Sequence, residues 1–219
     1  MSLLAPDQAA LDLDEGLVQL GFESFRPGQR EAIETLLTDN RLLLVAPTGG
    51  GKSLIYQLPA AVLPGTTVVV SPLIALMHDQ VLALEERGVP STYLAGTLTS
   101  DEMRRRMSEA SRGAYKLIYV APERLNFDGF RGMLGRIDCP LVAIEEAHCI
   151  SEWGHDFRPD YMRIGELIQD LPDARVLACT ATATPIVREE ILERLGLSTD
   201  TPQLIKGFAR PNLALRVKE

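Results

Sequence analysis

The sequence is short of cysteine, of aromatic residues and of positive charge. Cysteine occurs 3 times in 219 residues, at Cys139, Cys149 and Cys179, with no CxxC spacing. An odd, scattered set argues against a disulfide framework and against a zinc site. It points instead to a reducing cytosol, where each thiol is a small buried apolar residue. Lys and Arg number 22 against 30 Asp and Glu, a formal net charge of −8. That argues against a protein that holds nucleic acid by bulk electrostatics, because phosphate contacts need Lys and Arg, although local contacts remain open. The one dense basic cluster, Arg104-Arg105-Arg106, lies beside Asp101, Glu102 and Glu109 and reads as a solvated helix face. No apolar run approaches the roughly 20 residues of a membrane span. Met1 to Leu13 carries acids and no basic region, so it does not read as a secretory signal.

What is present is ordinary for a globular chain, at 46% apolar and 24% charged residues. Short apolar runs alternate with helical patterns. The runs predict strands over Leu42–Val45, Thr67–Val70, Ser91–Leu94, Leu117–Val120, Leu141–Ile144, Arg175–Cys179 and Gln203–Ile205. Helices are predicted over Gln8–Leu20, Gly28–Leu37, Ser53–Val62, Ile74–Gly88, Ser100–Arg112, Tyr161–Asp170 and Pro185–Gly196. Runs such as Val68-Val69-Val70 are continuous rather than alternating, the mark of strands buried on both faces of a parallel sheet. The expected architecture is a three-layer α/β sandwich with right-handed crossovers, its ligands at the carboxyl ends of the strands.

The chemistry falls at those ends. Ala46-Pro47-Thr48-Gly49-Gly50-Gly51-Lys52-Ser53 follows the first strand and precedes a helix. Glycines let the backbone fold tightly with its N–H groups aimed at an anion, and the helix start adds its positive dipole end. Lys52 is placed to reach the β- and γ-phosphates of a nucleotide, and the Ser53 hydroxyl to ligate Mg²⁺. The strict pattern has Gly where this chain has Ala46. The alternative is an ordinary glycine turn. Leu141-Val142-Ala143-Ile144-Glu145-Glu146-Ala147-His148 delivers two adjacent carboxylates at a strand tip. In phosphate-loop folds one acid there holds Mg²⁺ and its neighbour polarises the attacking water. Alone the pair is a weak signal; about 95 residues after the glycine loop it is a strong one.

Four further segments are more ambiguous. Ile150 to Pro159 holds the single Trp, Trp153, with His155, Phe157 and Arg158. Such a loop either packs on the domain or stacks bases of a single strand. Ala178 to Pro185 is either a site of close backbone approach, with Thr180 and Thr182 bridging to the phosphates, or a plain turn with Thr184 as N-cap and Pro185 at the first helical position. Upstream, Gln29 offers the acceptor and donors that fit an adenine edge, and Phe22, Phe25 or Arg26 can cover its face. For both Phe residues core packing is the default. Ser71 to Gln80, including Leu73, either presents helix N–H groups to a nucleic-acid phosphate or is simply capped by Ser71.

In this order the segments resemble the RecQ family of superfamily 2 DNA helicases over nearly the whole chain. Phe22 to Gln29 is similar to its motif zero, Ala46 to Ser53 to motif I, and Ser71 to Gln80 to motif Ia. Tyr119 to Leu125 is similar to its next signature, Ile150 to Pro159 to its aromatic-rich loop, and Thr180-Ala181-Thr182 to motif III. Phe208 to Leu213 resembles the lead into a second lobe. The resemblance implies a RecA-like fold and ATP-driven, 3′-to-5′ unwinding of DNA. It implies adenine recognition by Arg26 and Gln29, nucleotide binding by Phe22 and the Thr48 to Ser53 loop, and Mg²⁺ held by Ser53 and Glu145. Glu146 would orient the hydrolytic water. Ser71, Leu73, His148, Trp153, His155, Phe157, Arg158, Thr180 and Thr182 would meet or couple DNA. It divides the chain into a helical segment over 1–40, the first motor lobe over 41–207 and a connection over 208–219. The second lobe, with its arginine finger, is absent from this chain. By itself the lobe is expected to be largely inactive. One departure concerns the magnesium acid: the family has Asp where this chain has Glu145, and a displacement of about 1 Å matters to catalysis. Two other classes compete with this reading. A non-catalytic nucleotide- or DNA-binding module would have Glu145 as its sign. A small-molecule kinase would leave the aromatic loop unexplained.

Overall fold

The computed structural model describes residues 12–153 and 156–206. Seven parallel strands form one sheet: β1 (Arg41–Val45), β2 (Thr67–Val70), β3 (Ser91–Leu94), β4 (Leu117–Val120), β5 (Leu141–Ile144), β6 (Arg175–Thr180) and β7 (Gln203–Ile205). Their spatial order is β3-β4-β2-β5-β6-β1-β7. The α-helices are α1 (Leu13–Gln19), α2 (Gln29–Asp39), α3 (Leu54–Val62), α4 (Ile74–Glu86), α5 (Ser100–Ala110), α6 (Asp128–Leu134), α7 (Ile164–Asp170) and α8 (Pro185–Arg194).

Successive strand residues point to opposite faces, so the continuous apolar runs feed two cores at once. Leu43, Val68, Ile118, Val142 and Val176 join one layer, closed by α5 to α8. Leu42, Leu44, Val69, Tyr119, Ala143 and Leu177 join the other, closed by α1 to α4. Burying a side chain of this size stabilises by about 1.5–3 kcal/mol, which is why four-residue runs suffice to define strands.

The expected strands lie where the apolar runs place them. Helix ends differ more. Of the helix expected over Gln8–Leu20, Leu13 to Gln19 is helical; Asp12 caps it by accepting from the amides of Asp14 and Glu15. Residues 8–11 lie outside the described part, as do Phe208 to Leu213. The helix expected from Tyr161 begins at Ile164, because Pro159 to Arg163 takes a 3-10 turn. Thr184 caps α8 through the amide of Val187, with Pro185 at its first position. Ser71 does not cap α4. The residue before that helix is Leu73, without a side-chain bond to its amides, and Ser71 is buried at the end of β2. All three cysteines are free and buried. The arginine cluster is a solvated face: Arg104 pairs with Asp101, and Arg105 with Glu102 and Glu109. Arg106 also pairs with Glu102, at 2.8 Å, and lies over the Tyr93 ring, 4.5 Å from its centroid.

Candidate nucleotide and coupling site

The sheet order brings distant motifs together. β6 lies between β1 and β5, with Val45 opposite Thr180 and Ile144 opposite Ala178. The loops that follow these three strands therefore crowd one edge, where the order of strands turns back on itself.

After β1 the chain turns through Gly49 and Gly51, both at positive φ (80° and 73°), where other residues are strained. A Cβ at Gly50 would meet the Pro47 carbonyl at 2.9 Å, and one at Gly51 would run into the Gln29 amide. The loop is thus closed against its own backbone and against Gln29. Lys52 lies inside it, donating to the carbonyls of Ala46 at 2.9 Å and Pro47 at 3.3 Å. Thr48 is exposed at the loop tip.

Arg26 and Gln29 fasten this loop from outside. Arg26 Nη1 donates to Gly49 O at 2.8 Å, and Gln29 Nε2 to Gly51 O at 2.9 Å, while Gln29 Oε1 accepts from the Arg26 amide at 2.7 Å. A 290 Å³ hollow beside them is lined by Phe22, Arg26, Gln29, Gly51, Ser53 and Gln80, among others. Phe22 is stacked under Arg87, whose guanidinium lies 4.8 Å from the ring centre; Phe25 lies under Arg30 at 4.6 Å. A larger hollow of 590 Å³ opens beside Thr66, Pro90 and Lys116, at the amino ends of β2 to β4, where none of the motifs fall.

Beyond β5, Glu145 is nearly fully buried and its backbone is pinned on both sides. Its amide donates to Val70 O at 2.9 Å, and its carbonyl accepts from the Tyr161 hydroxyl at 2.9 Å. Its Oε1 accepts from the Tyr56 hydroxyl at 2.8 Å. Behind it Tyr119, Gln57 and Gln80 continue the polar chain, with Gln57 Nε2 donating to Tyr119 at 3.2 Å and to Gln80 at 2.5 Å. Oε2 is buried without a hydrogen-bond partner, as is Ser71 Oγ. Burial pushes the Glu145 carboxyl above the usual range. The Ser71 and Tyr56 hydroxyls and the charge of Lys52 oppose this, while Glu146 adds to it.

The carboxyl of the longer acid is turned to the Tyr56 hydroxyl. Sequence reasoning missed Tyr56, Gln57 and Tyr161. Two polar side chains inside the apolar run Leu54-Ile55-Tyr56-Gln57-Leu58 were the available signal for the first two.

Glu146 follows with a left-handed backbone, φ 47°, ψ 46°, uncommon for a residue with a side chain. Such strain concentrates at functional sites. Its Oε2 lies 3.3 Å from His148 Nδ1, and the same nitrogen is 2.7 Å from Thr180 Oγ1. Thr180 Oγ1 also lies 3.2 Å from Thr182 O, so β6 and the strand-end acids share one polar junction.

The aromatic loop stands beyond this junction. Trp153 is 79% exposed and Phe157 39%, so neither is core, and Leu73, just before α4, is 46% exposed. Arg158 ties the two segments: its Nη2 is 3.0 Å from Asp156 Oδ2, and its Nη1 donates to Pro72 O at 3.3 Å. Ser151 Oγ donates to Glu190 on α8 at 2.5 Å. His155 lies outside the described residues.

A folded acid with a raised pKa holds its proton more tightly than the unfolded chain does. Stability therefore falls as pH rises from the ordinary carboxylate value, 4.5 for Glu, through the raised folded one. Glu145→Gln keeps an oxygen for Tyr56 and removes the buried charge. The variant is expected to be more stable than the parent at pH 8 by about 2–4 °C in Tm for each kcal/mol relieved. The difference should shrink toward pH 4.5, where Glu145 itself is protonated. Thermal melts across this range check it; a gap independent of pH would assign the effect to packing instead.

Among the described residues no helix is long and apolar enough to cross a membrane. Residues 26–191 match the DEAD/DEAH box helicase family. The chain is 50% identical over 200 residues to the ATP-dependent DNA helicase RecQ of Bacillus subtilis, covering 90% of this chain and 34% of that protein. It is 41% identical over 199 residues to the RecQ of Haemophilus influenzae, covering 91% and 32%. It thus spans about a third of the length of the curated relatives it matches. Among solved structures, a hypothetical ATP-dependent RNA helicase from Sulfolobus tokodaii superposes with a TM-score of 0.67 at 19% identity, over 89% of this chain and 56% of that one. That likeness carries the fold: an α/β RecA-like lobe.

Proposed function

Because this chain belongs to the DEAD/DEAH box helicase family, on its RecQ branch, we propose that it is the ATP-binding first motor lobe of a 3′-to-5′ DNA helicase. The observation that carries the reading is the junction at the strand ends. The phosphate loop with Lys52, the acids Glu145 and Glu146, and the His148–Thr180 contact at 2.7 Å meet around one strand, β6.

In this reading Gln29 and Arg26 read the adenine and Phe22 covers it. Lys52 leaves the Ala46 and Pro47 carbonyls to meet phosphate oxygens, joined by loop amides from Thr48 to Ser53. Ser53 and Glu145 Oε2 are the groups that would hold Mg²⁺. They suit it, since both are oxygen donors, Oε2 is buried without a partner, and magnesium takes hard oxygen ligands. The cation would neutralise charge on the phosphates. Glu146 orients the attacking water, held in place by His148. Ser71 and Leu73, with the exposed Trp153, Phe157 and Arg158 and the loop that contains His155, form the face for single-stranded DNA. Stacking there serves a chain of net charge −8 better than a basic groove would. Displacement of Arg158 from Pro72, or of Thr180, itself bonded to Thr182, from His148, is the mechanical link to Glu146.

A helicase of this kind works by closing two lobes around ATP. The lobe alone should bind nucleotide weakly and hydrolyse it near background, since the arginine finger of a second lobe contributes about 10³ or more. ATP hydrolysis by this chain, with and without single-stranded DNA, tests this. Strong DNA-stimulated turnover by the chain alone would overturn the division of labour.

A further inference from the structure

The junction holds one group that the reading above does not use. Cys149 Sγ lies 3.9 Å from His148 Nε2 and 3.7 Å from Asp156 Oδ2. One ligand atom from each of the three residues lies within 4.8 Å of the others. A tetrahedral zinc-class ion, with bonds of about 2.0–2.3 Å, separates its ligands by roughly 3.3–3.7 Å. Two of the separations are thus within a few tenths of an ångström of what is needed. The third closes by rotation of the Asp156 side chain, which is 48% exposed, with release of its bonds to Arg158. His148 and Cys149 come from a buried 3-10 turn and are held rigidly.

The surroundings match a metal-bound histidine. The ring nitrogen facing away from Cys149 is the one engaged by Thr180 and by the Glu146 carboxylate. Outer hydrogen bonds of this kind orient the ring of a metal-ligating histidine. The spacing of 148, 149 and 156 fits no standard zinc pattern, so sequence reasoning, which argued against a zinc site, had nothing to find.

We infer that His148, Cys149 and Asp156 form a site for one thiophilic divalent cation of the zinc class, its fourth position taken by water. The thiol proton leaves to solvent as the sulfur–metal bond forms, and the ion, thiolate and carboxylate together are neutral. Arg158, which shares Asp156 at 3.0 Å, is the one cation facing the group among the described contacts, and it loses that oxygen when the ion binds. Occupancy thus clamps Asp156 to His148 and stops the loop from moving against the strand-end acids. This second half rests on the proposed helicase reading; the binding itself does not.

Co²⁺ serves as the probe because a cobalt–thiolate bond gives a charge-transfer absorption. One equivalent should raise that band in this chain, and Zn²⁺ should displace it. Cys149→Ala should abolish the band and Cys139→Ala preserve it. The surface variant Asp156→Asn, which leaves the core untouched, should weaken affinity at least about tenfold. No thiolate band in the parent, or a band that survives Cys149→Ala, overturns the site. In the two-lobed enzyme, Zn²⁺ should inhibit DNA-stimulated turnover reversibly with a chelator, and Cys149→Ala should be insensitive. Binding without inhibition would overturn the clamp and leave the site. With Mg²⁺ present and Zn²⁺ absent, a two-lobed enzyme with no DNA-stimulated turnover would count against the helicase reading instead.

Discussion

Lys52→Ala is expected to weaken ATP binding by about 10- to 150-fold and to bring DNA-stimulated hydrolysis by the two-lobed enzyme to background. The range follows from charge-assisted hydrogen bonds, worth about 1.5–3 kcal/mol each. Lys52 donates to the loop carbonyls from inside, at 2.9 and 3.3 Å, while Arg26 holds Gly49 O from outside. On the proposed reading alanine removes the phosphate ligand and the tether of the loop together. Lys52→Arg separates the two effects. It keeps the charge but needs more room than a loop closed at Gly50 and Gly51 offers, so turnover should stay low while binding partly recovers. Titration with a fluorescent nucleotide measures the first effect, and phosphate release the second. Unchanged binding in Lys52→Ala would place the nucleotide elsewhere.

The second large effect belongs to Glu146. Glu146→Gln conserves shape and removes the negative charge, and with it the capacity to take a proton. Turnover is expected to fall by about 10²- to 10⁴-fold, the usual contribution of a general base, with ATP affinity within about twofold of the parent. The geometry makes the separation possible. Glu146 is directed to His148 at 3.3 Å, whereas the phosphate loop is fastened by Lys52, Arg26 and Gln29. A joint loss of affinity and turnover would instead assign Glu146 to holding the left-handed turn. His148→Ala gives the complementary result: hydrolysis that DNA no longer stimulates.

The strands were legible because each is a run of about four apolar residues buried on both faces and bounded by polar or Gly/Pro residues. Helix α6 was not. Asp128-Gly129-Phe130-Arg131-Gly132-Met133-Leu134 contains two glycines and reads as loop, yet Phe130, Met133 and Leu134 are buried in the core. Tertiary packing there overrides propensity. The glycine loop and the acid pair were legible as patterns because each combines particular residues at a particular spacing at a strand end. Ser71 shows the opposite case: a hydroxyl before a helix reads as a cap, but α4 starts two residues too late to use it. Least visible were contacts between segments 60 or more residues apart, such as Tyr56 to Glu145 and Arg158 to Pro72, because no local pattern encodes which side chains a sheet order will bring together.

The position of β6 sets the gauge of the whole site. Phosphate loop and acids stand two inter-strand spacings apart, about 9.5 Å across the sheet, and a hydrogen-bonded strand cannot be stretched to change that distance. Cys179 reinforces the fixed width, its sulfur donating to Ile144 O at 3.4 Å. A longer acid is therefore accommodated not by widening the sheet but by folding its surplus back toward Tyr56. The same rule governs future change at this edge. Tolerated substitutions are those whose excess length finds a polar partner behind the strand tips, so the hydroxyl of Tyr56 is a licence for Glu at position 145. Tyr56→Phe should make Asp the better residue there.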